Sequence, residues 1–304
     1  MVTTQTRCPV CKSQQRETIR VGVREDLGRE VYRCACGVEY IELPFDPTAY
    51  YESEYRQTHN PIPGRFITSS ERAQQYAHLM DSRLERFRKY VPPGCRVLEV
   101  GCSSGYFLET LARSGYSPLG CDLNPEDVAY VWNHLQIPCE QGEIGEVFGE
   151  KKFGAVCAFA VLEHVADPAA WVEDAYNRLR DGGTLYVDVP NLNDALLSAY
   201  RIPEYAAFWY REPHLTYWTA DTLRTLLEGA GFQVTIDYAQ EYSLGNHLWW
   251  LFKRQGMPNA YMGQIPFIPA AELAGVFERL DAEYRGELVA RGMTDRLVAV
   301  GKKG

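Results

Sequence analysis

The chain has 304 residues, 46% of them apolar and 23% charged, with a formal net charge of −9. This suits one large domain with a small accessory, or two domains, with enough apolar residues for a substantial core. The acidic balance makes a polyanion a poor default partner, because nucleic-acid binding rests on Lys and Arg neutralising phosphates. The opening "MVTTQTRCPVC" has no apolar h-region, and the longest apolar run, "AVCAFAVL" at 155–162, is too short to span a bilayer. The expectation is a cytoplasmic protein without a membrane anchor, whose nine Cys are reduced thiols, some of them binding metal.

Cys8-Pro-Val-Cys11 is followed after 22 residues by Cys34-Ala-Cys36-Gly37. Two close pairs of thiolates are the ligand set of a tetrahedral Zn2+, and four Cys close the coordination shell, which makes the ion structural rather than catalytic. Gly37 permits a tight backbone after the second pair. The CxC spacing of that pair is tighter than the usual CxxC, so one ligand is the weak point. Between the pairs, "ETIRVGV" and "EVYRC" read as a hairpin around "REDLGR". The unit is a zinc ribbon, too small to build a sufficient core without the metal.

"LPFDPTAYYESEYRQTH" (43–59) reads as a linker, with "TAYYESEY" a helical segment that covers a ligand. A helix is predicted over 68–91, with Ser70 as N-cap and Met80, Leu84, Phe87 and Val91 on one face, ended by Pro92-Pro93-Gly94. "CRVLEV" (95–100) is a short buried strand, Gly101-Cys-Ser-Ser-Gly105 the turn after it, 106–115 a helix, and 116–122 the next strand. In this βαβ unit, Gly101 allows a sharp turn and Gly105 the close approach of a ligand. Asp122, at the edge of the second strand, is placed to accept hydrogen bonds from two ribose hydroxyls. The spacing is G-x-x-x-G, not the G-x-G-x-x-G of a dinucleotide site.

With Glu99 two residues before Gly101, this stretch resembles the first motif, E/D-x-G-x-x-x-G, of the class I S-adenosylmethionine-dependent methyltransferases. The resemblance continues through "LEHV-DP" in 153–191, the "L-x-x-GG-x-L-x-x-x-x-P" strand, and "HLTYWTADTLRTLLEGAGF" (214–232). An N-terminal zinc ribbon on this domain is a known arrangement of the family. The resemblance implies a Rossmann-like, seven-stranded doubly wound α/β sheet whose last strand, 296–304, is antiparallel. It implies S-adenosylmethionine as cofactor, with Gly101 and Gly105 against its methionine part, Glu99 on its amino group and Asp122 on its ribose. An acidic loop also suits a sulfonium and an ammonium better than a diphosphate. Where relatives often carry Gly-Asp for the adenine, this chain has "CEQGEIGEV" (139–147). Glu143 and Ile144 stand there as acceptor and apolar wall, and Phe159 is either an adenosine contact or a core aromatic.

Methyl transfer is an in-line displacement that needs alignment and, for a protonated nucleophile, a base. His164, after the fourth strand, and His214, opening "HLTYW", are the candidates; His247 reads as a packing histidine. Insertions at 191–213 and 241–269 bring Trp209, Tyr210, Trp249, Trp250, Phe252, Tyr261 and Phe267, which either wall an acceptor, cover the sheet or make a homodimer contact. Tyr200, Arg201 and Arg211 add polar or anion contacts. Leu273, Val276, Phe277, Leu280, Tyr284 and Leu288 share one face of a last helix.

The expected organisation is a zinc ribbon over 1–45, a linker with N-terminal helices over 46–92, and the methyltransferase domain over 93–304. The expected partner is a small-molecule acceptor, a sugar or secondary-metabolite scaffold, with O-methylation favoured. The alternatives are an rRNA or tRNA methyltransferase with a zinc module, disfavoured by the charge and by the lack of an Asn/Asp-Pro-Pro-Tyr-type loop, and a non-catalytic cofactor-binding interaction protein.

Overall fold

A computed structural model describes residues 7–42, 50, 68–258 and 273–304, without the side chain of His78. The linker segment 51–59, and Tyr261 and Phe267 of the second insertion, lie outside the described residues. In chain order the elements are β1 (Arg16–Val21), β2 (Glu30–Cys34), β3 (Glu39–Ile41), α1 (Ser69–Tyr76), α2 (Met80–Arg88), β4 (Arg96–Val100), α3 (Tyr106–Arg113) and β5 (Ser117–Asp122). There follow α4 (Pro125–Tyr130), β6 (Cys139–Gln141), β7 (Phe153–Phe159), α5 (Pro168–Arg178), β8 (Leu179–Pro190), α6 (Ala195–Ser198) and α7 (Pro203–Trp209). The last are β9 (Thr216–Tyr217), α8 (Ala220–Gly229), β10 (Phe232–Ala239), α9 (Leu244–Lys253), α10 (Ala274–Ala290) and β11 (Arg296–Lys303).

Seven strands form one sheet in the order β10-β11-β8-β7-β4-β5-β6, with β4 parallel to both β5 and β7. The last strand is antiparallel, the Rossmann-like arrangement anticipated from the sequence. The central strands are buried on both faces, and β7, "FGAVCAF", is buried along its whole length. That is why it reads as a continuous apolar run rather than an alternating one.

The chain divides into two compact units, one containing the residues up to Glu42 with Asp188–Leu223 and Ile236–Val298, the other the remainder. In the first, β1, β2, β3 and β9 form an antiparallel sheet, so the ribbon hairpin continues into Thr216–Tyr217. Its core joins Val31 and Ile41 of the ribbon to Tyr205, Trp209, Tyr217 and Trp250. Trp209 and Trp250 of the two aromatic insertions are therefore packing residues, whereas Phe252 is 79% exposed. His247 is buried too, its Nδ1 2.8 Å from the Tyr284 hydroxyl. The helical face predicted for the last helix departs from its pattern: α10 buries Leu288 but leaves Leu273, Val276 and Leu280 exposed.

In the second unit the predicted helix over 68–91 is two helices joined by a 3-10 turn at Ala77–Leu79. The N-cap is Thr68, not Ser70: its hydroxyl accepts the Glu71 N–H while the Glu71 carboxylate reaches back to the Thr68 N–H. This reciprocal capping box satisfies two otherwise orphaned donors, which a cap at Ser70 lacks.

Candidate functional site

The glycine loop is shaped by where β4 and β5 end. In the parallel register Glu99 lies opposite Gly120 and Cys157, and Val100 opposite Cys121 and Ala158. The next residues, Gly101, Asp122 and Phe159, thus emerge together at the carboxyl ends of three adjacent strands, where open α/β sheets bind ligands. The chain turns at once: Gly101 and Cys102 both donate their N–H to the Cys121 carbonyl, at 2.8 and 3.1 Å. Gly101 (φ +68°), Ser103 (φ +47°) and Gly105 (φ +73°) all hold the left-handed conformation. A Cβ at Gly101 would lie 2.5 Å from Val161 Cγ2, and one at Gly105 would lie 2.7 Å from Val131 Cγ2. Glycine is required at both points by conformation and by space.

Two carboxylates bracket this loop. Asp122 Oδ2 accepts the Ser103 N–H at 2.8 Å and Oδ1 the Asn124 N–H at 2.9 Å. Glu99 is buried, and its Oε2 has no hydrogen-bond partner among the described residues. Burial first, and then the neighbouring charge of Asp122, push the Glu99 carboxyl up to about 8, against the opposing pull of Arg83. A buried acid with an unpartnered oxygen is suited to a cationic group that would draw off its proton. The chemistry of the donor set therefore fits a ligand carrying an ammonium and a ribose.

The other sequence candidates are placed as follows. Phe159 packs edge-on against Phe107, ring centroids 4.7 Å apart, with the Arg83 guanidinium 5.1 Å over its ring. Ile144 is buried and Glu143 exposed, in the segment after β6. His164 closes the 3-10 turn Leu162–His164 directly after β7, its N–H on the Val161 carbonyl and its Nε2 3.9 Å from Glu163 Oε1. His214 belongs to the first unit, in the turn before β9, with its N–H on the Arg211 carbonyl. The register thus aligns Glu99, Gly101, Asp122 and Phe159 at the strand ends, and Gly105 completes the loop.

Sequence reading passed over Arg83 and Asp127. Arg83 lies three residues after Met80 and four before Phe87, on the apolar face of α2, so its burial was legible from periodicity alone. Asp127 is buried and receives the hydroxyls of Ser69 at 3.1 Å and Ser104 at 3.0 Å. It fixes the glycine loop to α1, and no local pattern links residues so far apart in sequence.

In the first unit the Sγ atoms of Cys8, Cys11, Cys34 and Cys36 all lie within 4.8 Å of one another. Cys8 and Cys36 are 3.7 Å apart and Cys11 and Cys34 are 3.4 Å apart. Zn–S bonds of about 2.3 Å in a tetrahedron set S···S edges of roughly 3.8 Å, so the donor set fits that ion. The tight CxC is accommodated because Gly37 (φ +87°) donates its N–H back to the Cys34 carbonyl at 2.9 Å.

Residues 72–236 match the family described as "Methyltransferase domain". A "Ubiquinone biosynthesis O-methyltransferase" of Xylella fastidiosa (strain 9a5c) is 32% identical over 161 residues, 50% of this chain and 61% of that protein. The chain thus spans about three fifths of the length of that curated relative. Among solved structures, a SAM-dependent methyltransferase from Archaeoglobus fulgidus superposes with a TM-score of 0.51 at 19% identity, covering 77% of this chain and 97% of that one. The Haemonchus contortus phosphoethanolamine N-methyltransferase 2, solved with S-adenosyl-L-methionine, gives a TM-score of 0.51 at 13% identity over 87% of this chain and 61% of that one. These likenesses concern the fold. With the family match covering more than half of its length, the chain belongs to the Methyltransferase domain family.

Proposed function

We propose that the protein is an S-adenosylmethionine-dependent methyltransferase that acts on an oxygen of a small molecule and carries a structural zinc ion on its N-terminal cysteines. When bound, S-adenosylmethionine supplies a methyl group already activated on a sulfonium. The chain's own groups then bind, orient and deprotonate. Asp122, already oriented by two backbone N–H donors, would accept from the ribose hydroxyls. Glu99 would take the amino group, Gly101 and Gly105 the close approach, and Glu143, Ile144 and Phe159 the adenosine.

His164 and His214 are the proposed bases for the acceptor hydroxyl. Glu163 Oε1 lies 3.9 Å from Nε2 of His164, near enough for its negative charge to favour the imidazolium formed when the ring takes the acceptor's proton. The O-methyltransferase name of the Xylella fastidiosa relative supports oxygen as the methylated atom. Cys8, Cys11, Cys34 and Cys36 would hold zinc with no open position, in a structural role.

The observation that carries the reading is the alignment of Glu99, Gly101 and Asp122 at adjacent strand ends. It is tested by calorimetric titration with S-adenosylmethionine, followed by transfer of a labelled methyl group to a panel of phenols and sugars. Binding and transfer to a hydroxyl are expected; no heat of binding, with or without acceptor, would defeat it.

A further inference from the structure

Within the first unit, the turn between β1 and β2 meets the segment between α7 and β9. The Arg24 N–H reaches the Tyr210 carbonyl at 2.8 Å, and the Glu212 N–H reaches Glu25 Oε2 at 2.9 Å. These contacts bring the guanidinium groups of Arg24 and Arg211 near one another. The carboxylates around them are already engaged. Glu25 Oε1 faces Arg211 Nε at 3.6 Å, while Asp26 and Glu212 both pair with Arg29, at 3.1 and 3.0 Å. Glu39, which holds the Tyr210 hydroxyl, is matched by Arg33 at 2.7 Å. Arg20 adds a further cation, 5.4 Å over the Tyr210 ring. Arg20, Arg24, Arg29 and Arg211 thus stand against Glu25, Asp26 and Glu212, and Arg24 makes no ion pair among the described residues.

What Arg24 can still offer follows from its contacts. Its Nε–H donates to the Phe208 carbonyl at 2.6 Å, and its guanidinium lies 3.6 Å over the Phe208 ring. These contacts orient the planar group and leave its two Nη nitrogens, whose paired N–H bonds match the two oxygens of a carboxylate. The Nε of Arg211 is buried without a hydrogen-bond partner among the described residues, a donor left unmet until an acceptor reaches it. Arg24 is exposed as a residue, yet desolvation of its guanidinium first, and the like charge of Arg211 second, lower it to about 10, against the weaker pull of Glu25. Like charges held near each other are destabilising, and an anion that reaches both relieves them.

We infer that Arg24 and Arg211 bind the carboxylate of a small molecule. One surplus positive charge matches a monoanion better than a phosphate dianion, whose second charge would face Glu25. The His214 N–H is on the Arg211 carbonyl at 3.0 Å, so this anion site adjoins one of the two proposed bases. Resting on the proposed methyl transfer, the acceptor is then a hydroxy acid, its carboxylate on the two arginines and its hydroxyl left for the base.

The test is saturation-transfer NMR titration of the full chain with hydroxybenzoates, hydroxyphenylacetates and uronic acids, each beside its methyl ester, and with glucose 6-phosphate beside glucuronate. At least one acid should bind about tenfold or more tighter than its ester, the value of one or two charge-assisted hydrogen bonds. Arg24→Gln, if it keeps a cooperative thermal transition, should cut that preference to about twofold or less while leaving the ester's affinity unchanged. If that variant does not fold, the comparison of acid with ester in the wild type decides alone. No binding of any acid, equal binding of acid and ester, an unchanged preference in the folded variant, or a phosphate tighter than glucuronate would overturn the inference. Separate titration with S-adenosylmethionine keeps the two readings apart. A chain that binds the cofactor but no acid loses this site and keeps methyl transfer, and one that prefers acids but binds no cofactor does the reverse.

Discussion

Asp122 holds the backbone N–H of Ser103 at 2.8 Å, so the acid that ends β5 also fixes the middle of the glycine loop after β4. Its second oxygen holds the Asn124 N–H at 2.9 Å, and Asn124 in turn caps α4 through the N–H groups of Glu126 and Asp127. One carboxylate thus rigidifies the turns on either side of the proposed ribose site before any ligand arrives, and preorganisation of this kind lowers the ordering cost of binding.

Asp122→Asn should weaken S-adenosylmethionine binding by about 10- to 100-fold, the value of one or two charge-assisted hydrogen bonds. Only one amide oxygen then remains for two backbone donors, so the thermal midpoint should fall as well. Calorimetry and a melting curve on the same preparation separate the two effects. Unchanged affinity in the folded variant would remove Asp122 from the cofactor site.

Glu99 gives a proton-linked prediction. With its carboxyl raised to about 8 by burial, it is protonated near neutral pH, and a bound ammonium would favour the carboxylate. Binding at pH 7 should therefore release close to one proton and tighten as pH rises toward 8. Titrations in buffers of different ionisation enthalpy measure that release, which Glu99→Gln should lack. The same shift acts on stability. A carboxyl raised on folding contributes fully below its unfolded value of about 4.3, and the contribution is lost as pH rises through 8. Relative to wild type, Glu99→Gln should gain of order 3 kcal/mol between pH 4 and pH 7.

The sequence made the sheet, the glycine loop and the cysteine quartet legible because each is local: a buried strand, a turn demanding glycine, and paired thiols at ligand spacing. What it left hidden depends on residues distant along the chain. Trp209 and Trp250 offer the same aromatic signal whether they wall a ligand or pack on Val31 and Ile41, and the fold assigns them to packing. The pairing of β3 with β9, Glu39 opposite Tyr217, joins segments with no shared local pattern. Thr68 was within reach, because Thr68-Ser-Ser-Glu71 has the spacing of a capping box.

Gly101→Ala should destabilise the second unit by about 1–3 kcal/mol, since a Cβ there meets Val161 Cγ2 at 2.5 Å and φ is +68°. Adding Val161→Ala relieves the contact but not the backbone conformation, so recovery in the double variant should be partial. Denaturant midpoints measure both effects. Complete recovery would mean that the left-handed conformation at 101 costs nothing.

Purified protein should carry about one zinc ion per chain, by elemental analysis. Removing it with a chelator, or replacing Cys34 with Ser, should lower the thermal midpoint, because a site that forms only on folding adds its binding energy to stability. Cys34 is the sharper choice, being buried with its Sγ 3.4 Å from that of Cys11. Loss of metal with an unchanged midpoint would make the ion dispensable to the fold.

His247 ties the stability of the first unit to pH. Its ring is held between the Tyr284 hydroxyl at 2.8 Å and the Gln240 side chain at 3.3 Å. Burial, with a lesser push from the positive charge of Arg285, lowers it to about 4. An unfolded histidine titrates near 6.5, so between pH 6.5 and 4 the unfolded chain binds a proton that the folded chain refuses. The contribution of His247 is therefore complete above pH 6.5 and lost as pH falls toward 4, by roughly 3 kcal/mol at the lower limit. Asp295, raised to about 8 mainly by burial, acts in the opposite direction, its contribution fading as pH rises. Wild-type pH profiles sum the two, so the measurement is the difference between wild type and His247→Gln in urea at pH 7 and at pH 4.5. The variant should gain relative to wild type on acidification, and a difference that stays constant across that interval would show that His247 takes up its proton in the folded state as readily as in the unfolded one.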